Sequence, residues 1–239
     1  MEAITYFITE AVFVQFPDYV RGVVVAEDVV NGASPPELIA LLRETEAAAR
    51  ERLVLETLAA EPHMAVWREV FRKMGIKPSE FRPSIEALAR RVLHGQELPL
   101  INTLVDIGTL ISLRHLVPTG GHAIDHLTQD IALRTATGEE TFVPFGSDQV
   151  EHPAPDEIIF AEGDTVLTRR WIWRQANHTL TLPTTTAIEF NIDGLPPVGK
   201  AEVEGICEEV MELTARFCGG TLRYELLTRE NPRIPLKYL

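Results

Sequence analysis

His122 and His126 stand four residues apart with Asp125 between them, and His115 lies just upstream. Residues at i and i+4 share a helix face, a spacing that suits a two-histidine metal site. This segment, however, follows Gly120-Gly121 and holds only one short turn, so lining a pocket is the better reading and no metal is expected. Gly120-Gly121 is followed by neither Lys-Ser nor a long helix, so a phosphate loop is absent. The chain has no HExxH, no paired CxxC and no GxSxG nucleophile elbow. Cys207 and Cys218 have no neighbouring histidine, and covalent catalysis and a bound cofactor are not expected. Arg169, Arg170 and Arg174 form a basic cluster that suits the end of an RNA, or else a solvated strand edge. Trp171 and Trp173 alternate around Ile172 on a predicted strand, placing both on one side as core or as a platform for a base.

The two cysteines lie on one predicted helix, where a spacing of eleven residues separates them by about 16 Å, too far for a disulfide. Free thiols suit a reducing cytoplasm. The first residues carry no basic segment ahead of an apolar one, so a secretory signal is not expected, and no apolar run approaches a membrane span. With 239 residues, 45% hydrophobic and 24% charged, the chain has ordinary globular composition, and a sizeable core is expected. The net charge of −13 argues against a surface that wraps nucleic acid, although a pocket for an RNA end remains compatible with it.

The elements that must position these residues can be read in order. AVFVQF and VRGVVVAEDV read as strands around a turn at Pro17-Asp18. A long helix is predicted from Ser34, as N-cap, through LAA at 58–60. HMAVWREVFRKMG, SIEALARRVLHG (capped by Ser84) and TLVDIGTLISLRHL give three more helices. DIALRTA, ETFVPF, EIIFA, TVLTRRWIW and TTTAIEFNID read as strands between turn signals. KAEVEGICEEVMELTARFCG is an amphipathic helix, TLRYELL a strand, and the end a Pro-containing tail. No repeat or linker interrupts the pattern, so residues 1–239 read as a single domain. The order suggests an α+β fold, with helices on one side of largely antiparallel sheet.

LPLINTLVD, a helix, GGHAID and then DIALRTATGEE occur in that order, with RRWIWR and TTTAIEF downstream. Over about residues 65–220 this resembles the stand-alone proteins built from the B-three/B-four editing domain of the phenylalanyl-tRNA synthetase beta subunit. The resemblance implies a three-layer β/β/α sandwich. In the synthetase that domain hydrolyses tyrosine wrongly attached to phenylalanine tRNA, in a pocket between sheets and helices. The positions carried over are Asn102, Asp106, His122, Ala123 and Asp125, with a Glu near the end of the later strand, for which Glu189 and Asp193 both stand close. The family's Asn after the VD pair is absent here, where Ile107-Gly108-Thr109 stands, which leaves the substrate contacts open.

The resemblance thus implies an aminoacyl-tRNA deacylase acting in trans. His122 and Glu189 would be catalytic, with Asn102, Asp106, Ala123, Asp125 and Asp193 on the substrate and Gly120-Gly121 supplying backbone N–H groups. Partners would be a tRNA 3′ end or an amino acid, and no membrane. A module that binds without chemistry, or a partner-binding domain, fits the same sequence. Asp106 would equally cap or bridge its own helix, His122 bond to backbone in a turn, and Asp125 serve as an N-cap. No aminoacylation motif is present, so a complete synthetase is not expected. The deacylase reading requires His122, Asn102 and one acid from 186–193 to line a common cavity, with the Gly120-Gly121 turn as its wall.

Overall fold

Alternating burial in AITYFI builds the first strand, β1 (Ala3–Ile8), in the computed structural model, which describes residues 3–238. The run AVFVQF, which reads as a strand, is instead the helix α1 (Glu10–Gln15). Strand alternation would put Val12 and Val14 on one face, yet Val12 is buried and Val14 is 66% exposed. An apolar run this short carries no decisive period. The strand β2 (Val20–Glu27) follows, and then the helix α2 (Pro36–Arg52). The predicted long helix stops there, because Leu53 is extended and Leu58–Ala60 forms a separate 3₁₀ turn. Ser34 does not cap α2; Pro35 holds that position, and the Ser34 hydroxyl donates to Asp106 Oδ2 at 2.6 Å.

The next helices are α3 (Pro62–Lys73), α4 (Ser84–Leu93) and α5 (Thr103–His115). The Glu61 carboxylate caps α3 by accepting from the His63 and Met64 amides, whereas Pro83, not Ser84, stands at the cap of α4. Left-handed Leu116 (φ 56°) ends α5 and reverses the chain. Gly120 and Gly121 are therefore not a turn; they lie inside the strand β3 (Thr119–Ala123). Strands β4 (Ile131–Thr135), β5 (Ile158–Glu162), β6 (Thr165–Arg169), β7 (Arg174–Gln175) and β8 (Ile188–Gly194) come next. ETFVPF contributes only isolated bridges at Thr141, Phe142 and Pro144. The helix α6 (Lys200–Cys218), the strand β9 (Thr221–Leu227) and a last strand β10 (Arg233–Tyr238), where a tail is predicted, complete the chain.

The strands form a six-stranded sheet, β10-β1-β4-β5-β6-β7, and a four-stranded sheet, β3-β8-β2-β9. The pairings are antiparallel except between β1 and β4. Strand alternation sends Val24, Ala26, Phe190 and Ile192 of the smaller sheet into a core with α2, α4, α5 and α6. Val23 and Val25 point the other way, into a second core with Tyr6, Leu133, Phe160 and Leu167 of the larger sheet. The result is a three-layer β/β/α arrangement of the α+β class, as the resemblance implies. The helices are not all on one side, however. Val12 and Phe13 of α1, and Trp67 and Phe71 of α3, pack into the layer between the sheets.

The seat of α6 on the smaller sheet depends on Gly22, where a Cβ would lie 2.3 Å from Cys207 Sγ and 2.8 Å from Val203 Cγ1. Gly22→Ala is expected to destabilise the fold by about 1–3 kcal/mol in urea unfolding, as overpacked cores do. Gly205→Ala, on α6 with open space around it, is expected to raise stability by up to about 1 kcal/mol.

Candidate functional site

The register of the smaller sheet places a row of polar residues on the face that looks toward the larger one. His122 is the cross-strand partner of Glu189, Gly120 of Asn191, and Arg21 of Asp193. Because β8 alternates, Glu189, Asn191 and Asp193 share this face while Ile188, Phe190 and Ile192 face the helices. A cavity of about 160 Å³ opens between the sheets, lined among others by Arg21, Gly120, His122, Thr168, Asn191 and Asp193. Phe160, Trp171 and Trp173 form its aromatic wall. Gly120 is required here for close approach, since a Cβ would lie 2.8 Å from Asn191 Oδ1.

Arg21 and Asp193 are both buried and form an ion pair, with Nη2 2.7 Å from Oδ1. Arg21 Nε donates to Asp193 Oδ1 at 2.8 Å and to the Tyr19 hydroxyl at 2.7 Å, and Nη1 donates to the Tyr6 hydroxyl at 2.6 Å. The Tyr19 hydroxyl also donates to Asp193 Oδ1 and accepts from Trp171 Nε1 at 3.3 Å. Burial disfavours the arginine's charge, but Asp193 and the two tyrosines outweigh it, and Arg21 stays protonated. Burial raises the pKa of both tyrosines well above its usual value, so they remain neutral hydroxyls.

His122 is buried, with Nδ1 2.6 Å from the Thr179 hydroxyl and Nε2 3.2 Å from the Thr168 hydroxyl. Burial, reinforced by the Arg21 charge, pushes its pKa down to about 3, so the ring is neutral. Glu189 is fully buried; its Oε1 accepts from Asn191 Nδ2 at 3.0 Å and its Oε2 has no partner. Burial pushes its pKa up to about 8, which makes it a protonated acid at neutral pH.

The other residues singled out in the sequence separate into different places. Asn102 is the N-cap of α5: its Oδ1 accepts from the Val105 amide at 3.1 Å and its Nδ2 donates to Thr181 O at 2.8 Å. It does not line the cavity with His122, contrary to the shared site the sequence suggests, because capping consumes its side chain. Asp106 accepts from the Ile101 amide and the Ser34 hydroxyl, and burial raises its pKa. Gly121 faces the helices, where a Cβ would meet Ile188 Cδ1 at 3.2 Å. Ala123 and Asp125 line a separate cavity of about 400 Å³ with His126 and His178. Burial opposes the Asp125 charge, but hydrogen bonds from Thr186 and Ala187 outweigh it and hold its pKa below the usual range.

The basic cluster does not form. Arg169 is held by Glu157 and Glu151, Arg170 lies 3.5 Å over the Phe81 ring and 4.2 Å over Trp173, and Arg174 alone of the three lines the cavity between the sheets. The cause is backbone geometry. Arg170 (φ 49°) and Trp171 (φ 65°) are left-handed, so the predicted strand TVLTRRWIW breaks after Arg169, although both tryptophans still line the cavity. Trp171 is buried edge-on against Phe16, Tyr19 and Trp67, and Trp173 meets Phe81 edge-on. Arg21, Tyr6 and Tyr19 escaped notice in the sequence. The signal available was the one charged residue inside the apolar run VRGVVVA. Among the described residues, no group of three or more His, Cys, Asp or Glu gathers as a metal site would require, and no helix is long and apolar enough to cross a membrane.

The model of the B3/4 domain family matches residues 66–219. Among curated proteins none matches the chain. Among solved structures, an N-terminal fragment of the phenylalanyl-tRNA synthetase beta subunit from Pyrococcus horikoshii is similar, with 12% identity and a TM-score of 0.47, over 93% of this chain and 51% of that one. The chain thus spans about half the length of that fragment.

The titrations of His122 and Glu189 have opposite signs. His122 is held at about 3 against 6.5 ordinarily, so between those values the unfolded chain binds the extra proton and stability falls as pH falls. Glu189 is held at about 8 against 4.5, so the fold binds the extra proton and stability falls as pH rises through that window. Above pH 6.5 Glu189 acts alone of the two. Glu189→Gln is expected to flatten the loss of stability between pH 6.5 and 8 seen by chemical denaturation of the parent. A variant that keeps the whole loss would count against a protonated Glu189.

Proposed function

We propose that this chain, which belongs to the B3/4 domain family, acts in trans on mischarged aminoacyl-tRNA. The cavity between the sheets would take the aminoacyl group and the ester would be hydrolysed there. The observation that carries the reading is the convergence of a neutral His122, the Arg21–Asp193 pair and Asn191 on one cavity. Ester hydrolysis needs a positioned water and a counterpart for charge developing on the carbonyl oxygen. His122, neutral at physiological pH, would position the water, and the buried Arg21 cation offers the electrostatic counterpart. Glu189, protonated beside His122 on the neighbouring strand, adds no negative charge to oppose an oxyanion. The cavity has room for an amino acid and not for a nucleotide chain, so the tRNA would stay outside, with Arg174 at the lining.

One observation favours a second reading, a module that binds an amino acid or an RNA end without chemistry. Both ring nitrogens of His122 are engaged by Thr179 and Thr168, so a water must displace one hydroxyl to reach the ring. Deacylation of a panel of mischarged tRNAs by the purified protein separates the two. Under the hydrolytic reading at least one is cleaved, and His122→Ala lowers the rate about 100-fold while circular dichroism shows the fold intact, the usual size of a general-base or water-positioning effect. If no member of the panel is cleaved, the binding module is the correct description; cleavage unaffected by His122→Ala would remove the histidine from the mechanism.

A further inference from the structure

Among the described residues, the buried side-chain atoms without a hydrogen-bond partner include Arg21 Nη2, Asp193 Oδ2 and Glu189 Oε2. A buried polar atom left unpaired is destabilising, and one whose residue lines a cavity is open to a partner that enters it. Arg21 and Asp193 both line the cavity between the sheets, and both are essentially free of solvent exposure. Their inner atoms are fully engaged, for Asp193 Oδ1 serves Tyr19 and Arg21 while Arg21 Nε and Nη1 serve Asp193, Tyr19 and Tyr6. Arg21 Nη2 touches Asp193 Oδ1 as an ion contact but makes no hydrogen bond. What is left over is one anionic acceptor and one cationic donor, side by side and held in place from behind.

We infer that the Arg21–Asp193 pair is the receptor for the head of an α-amino acid, with the α-ammonium donating to Asp193 Oδ2 and the carboxyl-level carbonyl oxygen accepting from Arg21 Nη2. A donor-bearing cation and an acceptor oxygen on adjacent carbons match the two unpaired atoms of the ion pair in sign and adjacency, and the unpaired Thr119 hydroxyl of the same lining leaves one further neutral contact for the ligand. This assignment rests on the reading above, that the cavity takes an aminoacyl group, and it deepens that reading by saying which end of the amino acid is held, and by what. Arg21, Tyr6 and Tyr19 all precede residue 66, where the family match begins. Half of the receptor therefore comes from β1, β2 and the turn between α1 and β2, a part of the chain that the family pattern does not describe. Tyr19 is a positioning residue, since it ties Asp193 to Trp171 of the cavity wall without lining the cavity itself.

Calorimetric titration of the parent protein with the twenty free L-amino acids and their methyl esters provides the test, because Asp193 variants leave Arg21 unpaired and risk unfolding. At least one amino acid is expected to bind. Its methyl ester, which keeps both the ammonium and the carbonyl oxygen, is expected to stay within a few-fold. Its N-acetyl derivative, and the amine lacking the carboxyl carbon, are each expected to bind about 10–100-fold more weakly, the loss of one charge-assisted hydrogen bond. Tyr19→Phe keeps the ring and is expected to weaken the methyl ester while leaving the already weak N-acetyl derivative unchanged. A purely structural tyrosine would shift both alike. Equal binding of the N-acetyl derivative, or no binding by any free amino acid or ester, would overturn the receptor. The tRNA assay distinguishes this outcome from failure of the hydrolytic reading. Cleavage of an N-acetylaminoacyl-tRNA as fast as the free-amine form would leave hydrolysis standing and remove the receptor. Ammonium-dependent binding without any cleavage would do the reverse.

Discussion

A full ion pair buried between two β-sheets constrains everything around it. Removing a guanidinium and a carboxylate from water carries a desolvation penalty of several kcal/mol per ion after relaxation, and the attraction between them offsets it only with good geometry and further hydrogen bonds. Those conditions are met by register. Arg21 and Asp193 are direct partners between β2 and β8, and a slip of one residue between these strands would put the two on opposite faces of the sheet. The Tyr6 and Tyr19 hydroxyls, from β1 and from the turn before β2, then take up part of the remaining demand and leave Arg21 Nη2 and Asp193 Oδ2 unpaired. Tyr19 in turn fixes Trp171, and so the left-handed residues that end β6. The aromatic wall of the cavity is thus a consequence of how the pair is satisfied.

Much of the architecture was legible because its signals are periodic. The α6 pattern of Val203, Ile206, Val210 and Leu213 reports a single buried face, and that helix exists as the pattern implies. The motif LPLINTLVD found its helix correctly, and Asn102 proved to be that helix's cap. Where the period was too short to count, as in AVFVQF, strand and helix could not be told apart. Where backbone conformation decided, as at Leu116 and at Arg170–Trp171, the residues themselves are ordinary in either state, and nothing in their types announces a left-handed turn. Gly120-Gly121 misled for the converse reason. Paired glycines suggest a turn, but here the missing side chains serve close packing of Asn191 and Ile188 across a strand.

The site was harder to read than the fold because its parts come from distant segments. His122 and Asp193 were visible as candidates, and register brings them to one face of one sheet. Asn102, Asp106 and Asp125 were equally visible by type, yet Asn102 and Asp106 already satisfy local backbone and Asp125 the distant Thr186 and Ala187 amides, and a side chain so spent has little left for a ligand. Arg21 had the opposite profile. It stands alone in an apolar strand with no motif around it, and only its partner 172 positions away gives it meaning. Charged residues within buried strands are therefore worth pairing across the chain before motif residues are ranked.

The charge of the interior completes the argument. The chain as a whole carries −13, yet in the layer between the sheets Arg21 balances Asp193, while burial leaves His122 and Glu189 neutral. An entering group therefore meets balanced charge from these buried groups, with Arg174 the one further cation at the lining, and the unpaired atoms that remain. At the buried pair that condition favours a small ligand carrying both signs, and it disfavours a phosphate, which would place a second anion beside Asp193 where Arg21 is the only buried cation among the lining residues. Any polyanionic partner must then be held outside the cavity, against a surface whose overall charge repels it. Affinity for such a partner would have to come from the small group it delivers into the cavity more than from its backbone, which makes the fit of that group the controlling term.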